Sequence, residues 1–322
     1  RDLGERYILR YVIDRLEKLN GSLLSPGDDA VDMIPSDRII FSSDMLIEST
    51  DIPPGMSFRD AGYRAVTATT SDIAAKGGKP IAYLISLALP SKMLFDEFEE
   101  LWSGIEEAAR IYGGKIVGGD TNEGRELVID VTCLARAMNP VPRVGMRPGD
   151  IVAVTGRFGA QAAGLHALLN NIRGEAVAEK VIRKFLRPRA RVEEGVALAT
   201  SGALTTSIDS SDGLSETLHI LMDLNGYGFR IDDPPIDEDA RKYAERFDVD
   251  LFDLVFHGGE EYELVVTVKP EMLKDALRSV KGVGGSLIPI GRVIEEKIIE
   301  VKWFGKYVTA ERKGYEHFRR KY

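Results

Sequence analysis

A two-domain fold of the α/β (α+β) kind is what this sequence predicts, and three observations carry the prediction. The chain has 322 residues, about two domains of ordinary size. Segments with strand character interleave with segments of helical periodicity in both halves. Between the halves stand Asn139-Pro140-Val141-Pro142 and Arg147-Pro148-Gly149-Asp150, turn punctuation that puts the boundary at 1–140 and 141–322.

In the first half, Ile8, Val12, Leu16 and Leu19 fall on one helical face that stops at Asn20-Gly21. A loop, Ser25-Pro26-Gly27-Asp28-Asp29, leads to a short strand from Arg38 to Asp44. Ser57 to Lys76 reads as a helix with a small-residue face of Ala61, Ala65, Ala68, Asp72 and Ala75. Pro80 introduces a strand over Ile81 to Leu89, and Leu94 to Ile111 is a second helix. Lys115 to Val117 is a short strand running into Gly118-Gly119-Asp120-Thr121, and Leu127 to Leu134 is another. The second half restarts with the strand Ile151 to Val154 and a turn spaced by Gly156, Gly159 and Gly164 into a helix. Helices follow near Ala176 to Lys184 and Ala190 to Thr200. Thr206 to Ile208 is a strand entering Asp209-Ser210-Ser211-Asp212-Gly213 and a helix over Leu214 to Leu224. Strands over Tyr262 to Val268, Leu287 to Val293 and Ile298 to Trp303 complete the pattern.

Composition excludes several classes of function. With 44% hydrophobic and 29% charged residues the chain is neither disordered nor membrane-embedded. Its most apolar run, Ile81 to Leu89, is too short to span a bilayer. The charged, amphipathic start carries no signal-peptide core, so a cytoplasmic location is expected. Cys133 alone cannot form an internal disulfide or a multi-cysteine zinc site, and its apolar strand marks it as core. Lysine and arginine number 42 against 51 acids, a net charge of −9, which argues against nucleic acid as a partner.

Aspartate recurs at marked positions: Asp28-Asp29 in a loop, Asp44 and Asp120 where strands are expected to end, Asp72 on an alanine face, and Asp209 and Asp212 after another strand. Strand ends in α/β sheets share an edge where ligands bind. Carboxylates gathered there repel one another and need cations to stay ionised. Hard oxygen donors with neighbouring hydroxyls and no His or Cys suit Mg²⁺, which suits a polyphosphate. Taken singly, each piece has another reading. Asp28-Asp29 and Asp120 fit turns, Ser211 or Asp212 fits a helix cap supported by Glu216, and Glu260-Glu261-Tyr262-Glu263 fits an exposed acidic turn. The Gly156–Gly159–Gly164 spacing fits a tight turn better than a phosphate cradle. No G-x-x-x-x-G-K-[ST] or strand-opening G-x-G-x-x-G is present, and His166, His219, His257 and His317 show no ligand spacing.

Taken in order, Gly27-Asp28-Asp29-Ala30, Ser43-Asp44, Ser71-Asp72-Ile73-Ala74-Ala75, Gly118-Gly119-Asp120-Thr121, Asp209-Ser210-Ser211-Asp212-Gly213-Leu214 and Gly259-Glu260-Glu261-Tyr262-Glu263-Leu264 resemble the thiamine-monophosphate kinases. These belong to the superfamily of aminoimidazole ribonucleotide synthetase, selenophosphate synthetase and a hydrogenase-maturation protein. Arg187-Pro188-Arg189-Ala190-Arg191 and the tail Gly314-Tyr315-Glu316-His317-Phe318 extend the likeness. The resemblance implies a two-domain synthetase-like fold, with an N-terminal α/β domain whose strands form a homodimer interface, a C-terminal α+β domain and an active site between them. It implies ATP-dependent transfer of a phosphoryl group to thiamine monophosphate, giving thiamine diphosphate, with several Mg²⁺ ions. By motif position Asp29, Ser42, Ser43, Asp44, Asp72, Asp120, Asp209 and Asp212 would hold metal. Tyr112, Gly119, Asp120, Arg143 and Ser211 would meet the nucleotide, and Asp51, Glu260 and Tyr315 the thiamine substrate.

The likeness has departures. Ser43 stands where bacterial members usually carry threonine, Glu261 replaces an aspartate, and Glu48-Ser49-Thr50-Asp51 lacks the histidine and aromatic of many members. Selenophosphate synthetase and the maturation protein call for terminal cysteines that this sequence does not show. No general base is expected, because a phosphate monoester with a second pKa of about 6 already presents an ionised oxygen near neutrality. Direct in-line transfer is therefore expected. The alternatives are an aminoimidazole ribonucleotide synthetase-like enzyme and a non-catalytic Mg²⁺–nucleotide binding protein.

Overall fold

A computed structural model describes residues 11–17 and 38–314. The Asp28-Asp29 loop and Tyr315, both singled out above, lie outside the described residues, as does most of the opening helical face. The chain divides into two compact units, Arg1–Ile73 with Gly78–Met138, and Ala74–Gly77 with Asn139–Tyr322.

The first unit holds, among the described residues, a four-stranded sheet in the order β1-β4-β2-β3: β1 (Ile39–Ile47), β2 (Lys79–Pro90), β3 (Lys115–Gly124) and β4 (Val128–Arg136). β4 runs antiparallel to both β1 and β2, whereas β2 and β3 are parallel and joined through the helix Phe95–Tyr112. The helix Phe58–Ala75 is buried on nearly all sides, with Ala68 and Asp72 half-buried on an otherwise enclosed C-terminal half. Its threonines make that burial tolerable. Thr69 Oγ1 donates to the Val131 carbonyl at 3.1 Å, and the Thr70 hydroxyl pairs with the Tyr83 hydroxyl at 2.8 Å. A hydroxyl that finds a partner inside costs far less than an orphaned one. Cys133 is fully buried on β4, and burial pushes its thiol up to about 12.

The pleat gives the first sheet two unlike faces. Ser42, Asp44 and Leu46 point one way, toward the helix that carries Asp72, as the Ser42–Asp72 contact shows. Phe41, Ser43 and Met45 point the other, and Phe41 and Met45 remain 77% and 59% exposed. Across this second face Phe41 is in register with Leu134, and Leu134 with Ala82, an apolar row.

The second unit holds a seven-stranded sheet in the order β11-β10-β7-β9-β5-β8-β6, again among the described residues. Its strands are β5 (Ile151–Val154), β6 (Leu204–Ser210), β7 (Gly228–Ile231), β8 (Glu263–Val268), β9 (Ile288–Ile294), β10 (Ile299–Trp303) and β11 (Lys306–Thr309). β5, β6, β7 and β10 run one way and β8, β9 and β11 the other. Phe158, Ile208, Leu214, Leu218, Phe229, Val265 and Val301 sit in a core at most 2% exposed.

Several elements differ from the sequence expectation. β3 continues to Gly124 instead of ending at Val117, because its backbone pairs along the whole length of β2 despite the glycines. β1 likewise continues to Ile47 against β4. The helices Glu238–Phe247 and Leu273–Gly282, and the strands β7 and β11, are additional.

Candidate active site

In the first unit the acids lie inside strands rather than at their ends, which corrects the strand-end expectation for Asp44 and Asp120. Pairing aligns Asp44 with Val131, Val131 with Ile85 and Ile85 with Gly119, so one cross-sheet row joins Asp44 to Gly119. Asp120 falls in the next row, level with Ser86, Asp130 and Met45. Gly119 has φ +152°, and a Cβ there would lie 1.7 Å from the Ile85 carbonyl oxygen, so only glycine lets β3 pass β2 so closely. Asp120 is exposed, and its Oδ1 accepts from the Thr121 amide at 2.9 Å.

Ser42 and Asp72 meet across elements. The Ser42 hydroxyl donates to Asp72 Oδ2 at 2.6 Å, which ties β1 to the helix Phe58–Ala75. Ser43 is turned to the opposite face, where its hydroxyl lies 2.8 Å from the Thr132 hydroxyl and 3.3 Å from both Asp130 oxygens. Asp51 closes the turn after β1, accepting from the Ile47 amide at 2.7 Å and the Thr50 hydroxyl at 3.0 Å. Tyr112 is 5% exposed, with its hydroxyl 3.1 Å from that of Thr67.

In the second unit two loops are laced together. The Glu260 amide donates to the Ser211 carbonyl at 2.6 Å and the Tyr262 amide to the Ser210 carbonyl at 2.9 Å. Asp209, 8% exposed at the end of β6, is in register with Leu264. The helix Leu214–Asn225 starts after Gly213, with no side-chain cap, so neither Ser211 nor Asp212 caps it, and Glu216 pairs with Arg312 instead. Ser211 is exposed and Asp212 half-buried beside the acidic segment.

That segment is no exposed turn. Glu261, Tyr262 and Glu263 are 1%, 6% and 4% exposed. Glu263 is gripped by both Nε and a terminal nitrogen of Arg191 and receives the Thr155 hydroxyl at 2.7 Å. A Cβ on Gly156 would lie 2.2 Å from the Glu263 carboxylate, so this glycine makes room for a carboxylate of the protein itself. Burial works against the Arg191 charge, but the Glu263 and Glu194 carboxylates outweigh it and hold its pKa above the usual arginine value. Glu261 Oε1 accepts the Gly159 amide at 2.6 Å at the start of the helix Ala160–Leu169. The glycine turn is thus filled by Glu261 and Glu263 and is not a phosphate cradle. Burial pushes the Glu261 pKa well above the carboxylate range.

Two family models match the chain, one in each half. The N-terminal domain of AIR synthase related proteins matches residues 27–137, and their C-terminal domain matches residues 147–304. Among curated proteins, the thiamine-monophosphate kinase of Nitrosopumilus maritimus is 39% identical over 88% of this chain and 90% of its own. That of Pyrococcus horikoshii is 35% identical over 98% and 97%. The chain belongs to the thiamine-monophosphate kinase family. A solved structure described as "AaThiL complexed with AMPPCP and TMP" covers 98% of both chains at 28% identity, with a TM-score of 0.79.

Against the positions that the kinase family implies, the structure brings some residues together and separates others. Ser42 joins Asp72; Asp44 and Gly119 share a row with Asp120 in the next; Asp209, Ser211, Asp212 and Glu260 lie on the laced loops of the second unit. Ser43 faces away from Asp72, and Arg143 is exposed, its carbonyl accepting from Asn225 Nδ2 at 2.9 Å. Among the described residues no three His, Cys, Asp or Glu side chains gather into a metal cage. Kinase-type Mg²⁺ is held differently, through one or two carboxylates completed by phosphate oxygens and water. An all-oxygen pair such as Ser42 with Asp72 fits that demand. The motif-based reading gave Tyr262 no role. Its signal was an aromatic hydroxyl two residues from Glu260.

Proposed function

We propose that the chain transfers the γ-phosphoryl group of ATP directly and in line to thiamine monophosphate, with Mg²⁺ and without a phosphoenzyme. The chain is an ATP-dependent thiamine-monophosphate kinase, a phosphotransferase whose acceptor is itself a phosphate. One observation carries this function: relatives of that name match over nearly the whole chain, and a structural neighbour matched over 98% of both chains was solved with AMPPCP, an ATP analogue, and TMP.

The site acids bear on the route. Asp29, Asp44, Asp72, Asp120, Asp209 and Asp212, with the Ser42 hydroxyl, are the proposed Mg²⁺ ligands. Ser43, whose hydroxyl is already engaged by Thr132 and Asp130, is left out, although the register puts Asp120 on its side of the sheet. Asp44 and Gly119 are separated by three strand spacings, roughly 14 Å along the sheet. The two flanks of that row would therefore serve different parts of a polyphosphate. Bound Mg²⁺ would supply the charge neutralisation that two approaching anions require. Tyr112, Gly119, Asp120, Arg143 and Ser211 are proposed to meet the nucleotide. Asp51, Glu260 and Tyr315 are proposed to meet the thiamine moiety, whose fixed thiazolium charge favours carboxylates and an aromatic face. The acceptor oxygen arrives ionised, so the chain has to orient it and need not take a proton from it.

We further assign the chain to the cytoplasm as a homodimer, with the domain division at 1–140 and 141–322 and no nucleic-acid or membrane partner. The exposed Phe41 and Met45 and the apolar row through Leu134 and Ala82 support the first sheet as the dimer face. Light scattering should give a dimer that Phe41→Arg converts to monomer; a wild-type monomer would overturn the assignment. The function itself is tested by coupled ADP release, offering thiamine monophosphate, thiamine and an aminoimidazole ribonucleotide precursor separately. Release with thiamine monophosphate alone is expected. Turnover of only the aminoimidazole precursor would transfer the chain to the alternative branch of its superfamily.

A further inference from the structure

We infer that Tyr262 is a positioning residue that aims the Glu260 carboxylate at the cationic part of the substrate. The inference rests on the reading that Glu260 meets the thiamine moiety.

Glu260 and Tyr262 both occupy left-handed backbone conformations, with φ of +71° and +54°. Side chains other than glycine rarely adopt them, and such strain persists only where the surroundings over-determine it. Here they do. The amides of residues 260 and 262 are each tied to the Ser210–Ser211 loop, and Glu261 between them is anchored on the Gly159 amide. This contorted path brings the two side chains together: the Tyr262 hydroxyl donates to Glu260 Oε2 at 2.7 Å. Tyr262 is buried, while Glu260 is half-buried, so the phenol works from behind on a carboxylate that still reaches the surface.

The chemistry of the donor matters. A lysine or arginine in the same place would pair with Glu260 and cancel the negative charge that a thiazolium would meet. A phenol fixes the carboxylate's rotamer and leaves its charge intact. Glutamate otherwise loses considerable side-chain freedom on binding a ligand, and fixing it beforehand removes that cost.

Tyr262→Phe keeps the ring and removes only the bond. It should raise the KM for thiamine monophosphate roughly three- to tenfold, with the KM for ATP and kcat changing far less. Glu260→Gln should raise the same KM at least as much, and adding Tyr262→Phe to it should have little further effect. Thermal melting separates a packing role, which would lower the melting temperature and affect both substrates alike. An unchanged KM for thiamine monophosphate in Tyr262→Phe, or an equal rise in the Glu260→Gln background, overturns the positioning role while leaving Glu260 as a contact. An unchanged KM in Glu260→Gln removes Glu260 from the substrate site and the inference with it.

Discussion

The acids of the first unit and the pair Glu261 and Glu263 look alike in sequence and behave as opposites in the structure. On β1 and its helix, Asp72 accepts a hydroxyl from Ser42 while half-open to its surroundings. In the second unit Glu263 is enclosed and clamped by Arg191, and Glu261 is enclosed on a backbone amide. The first arrangement keeps hard oxygens for an external cation; the second consumes its carboxylates in holding turns and helix ends. An acidic motif therefore reports on ligand chemistry only where the structure has not already enclosed or paired the carboxylate.

Breaking that contrast starts with the first unit. Asp44→Asn and Asp120→Asn should each lower kcat by about two to three orders of magnitude, as loss of a charge-stabilising group does, without moving the melting temperature. Near-wild-type rates at limiting Mg²⁺ would refute the assignment of these acids to metal. The mirror-image experiment is Arg191→Met, which strands Glu263 inside the protein. Removing one partner of a buried pair costs about 3–5 kcal/mol, so a marked fall in stability by denaturant unfolding is expected. Replacing Glu263 as well should recover part of it. If Arg191→Met left stability intact, the clamp would not be the structural device described.

Much of this division was legible in the sequence, and the rest was hidden for definite reasons. Asp72 stood out because its helical neighbours at Ala61, Ala65 and Ala68 are alanines; with Ala68 it is half-buried on a face where Ala61, Ala65 and Ala75 are buried. Glu261 could not be read, since nothing local says that a glutamate between Glu260 and Tyr262 meets a helix start more than a hundred residues earlier in the chain. β3 was cut short because Gly118, Gly119, Asp120 and Asn122 have poor strand propensity, which pairing with β2 overrides. The helix Glu238–Phe247 was missed for its polarity, although Asp237 caps it through the Asp239 and Ala240 amides and Ala240, Tyr243 and Ala244 bury one side. Strand order depends on contacts between distant segments and leaves little local trace.

The pH dependence of stability sharpens the comparison within the second unit. Burial raises the pKa of Glu261 in the folded chain above its unfolded value. Its contribution is fully present below the ordinary carboxylate pKa and is lost as pH rises through the elevated folded value, because the native state keeps a proton that the unfolded chain releases. Glu261→Gln removes this titration while retaining an oxygen for the Gly159 amide. As pH rises from the ordinary carboxylate range, the variant should lose less stability than the wild type. Parallel stability curves would mean that Glu261 folds with its charge already satisfied.

The smallest effect expected comes from two adjacent serines. Ser42 and Ser43 are one residue apart, and the pleat sends their hydroxyls to opposite faces, one to Asp72 and the other to Thr132 and Asp130. If the Ser42–Asp72 pair holds Mg²⁺, Ser42→Ala should lower kcat several-fold and steepen its dependence on Mg²⁺ concentration, since the hydroxyl both holds Asp72 and offers a hard oxygen. Ser43→Ala should leave both within about twofold, the range of an exposed substitution away from the site. The two variants remove the same group from the same strand, so differences in bulk, propensity and strand pairing largely cancel. What remains is the face on which each hydroxyl lies. Equal losses in both would mean that the contact with Asp72 does not decide which serine the Mg²⁺-dependent step uses.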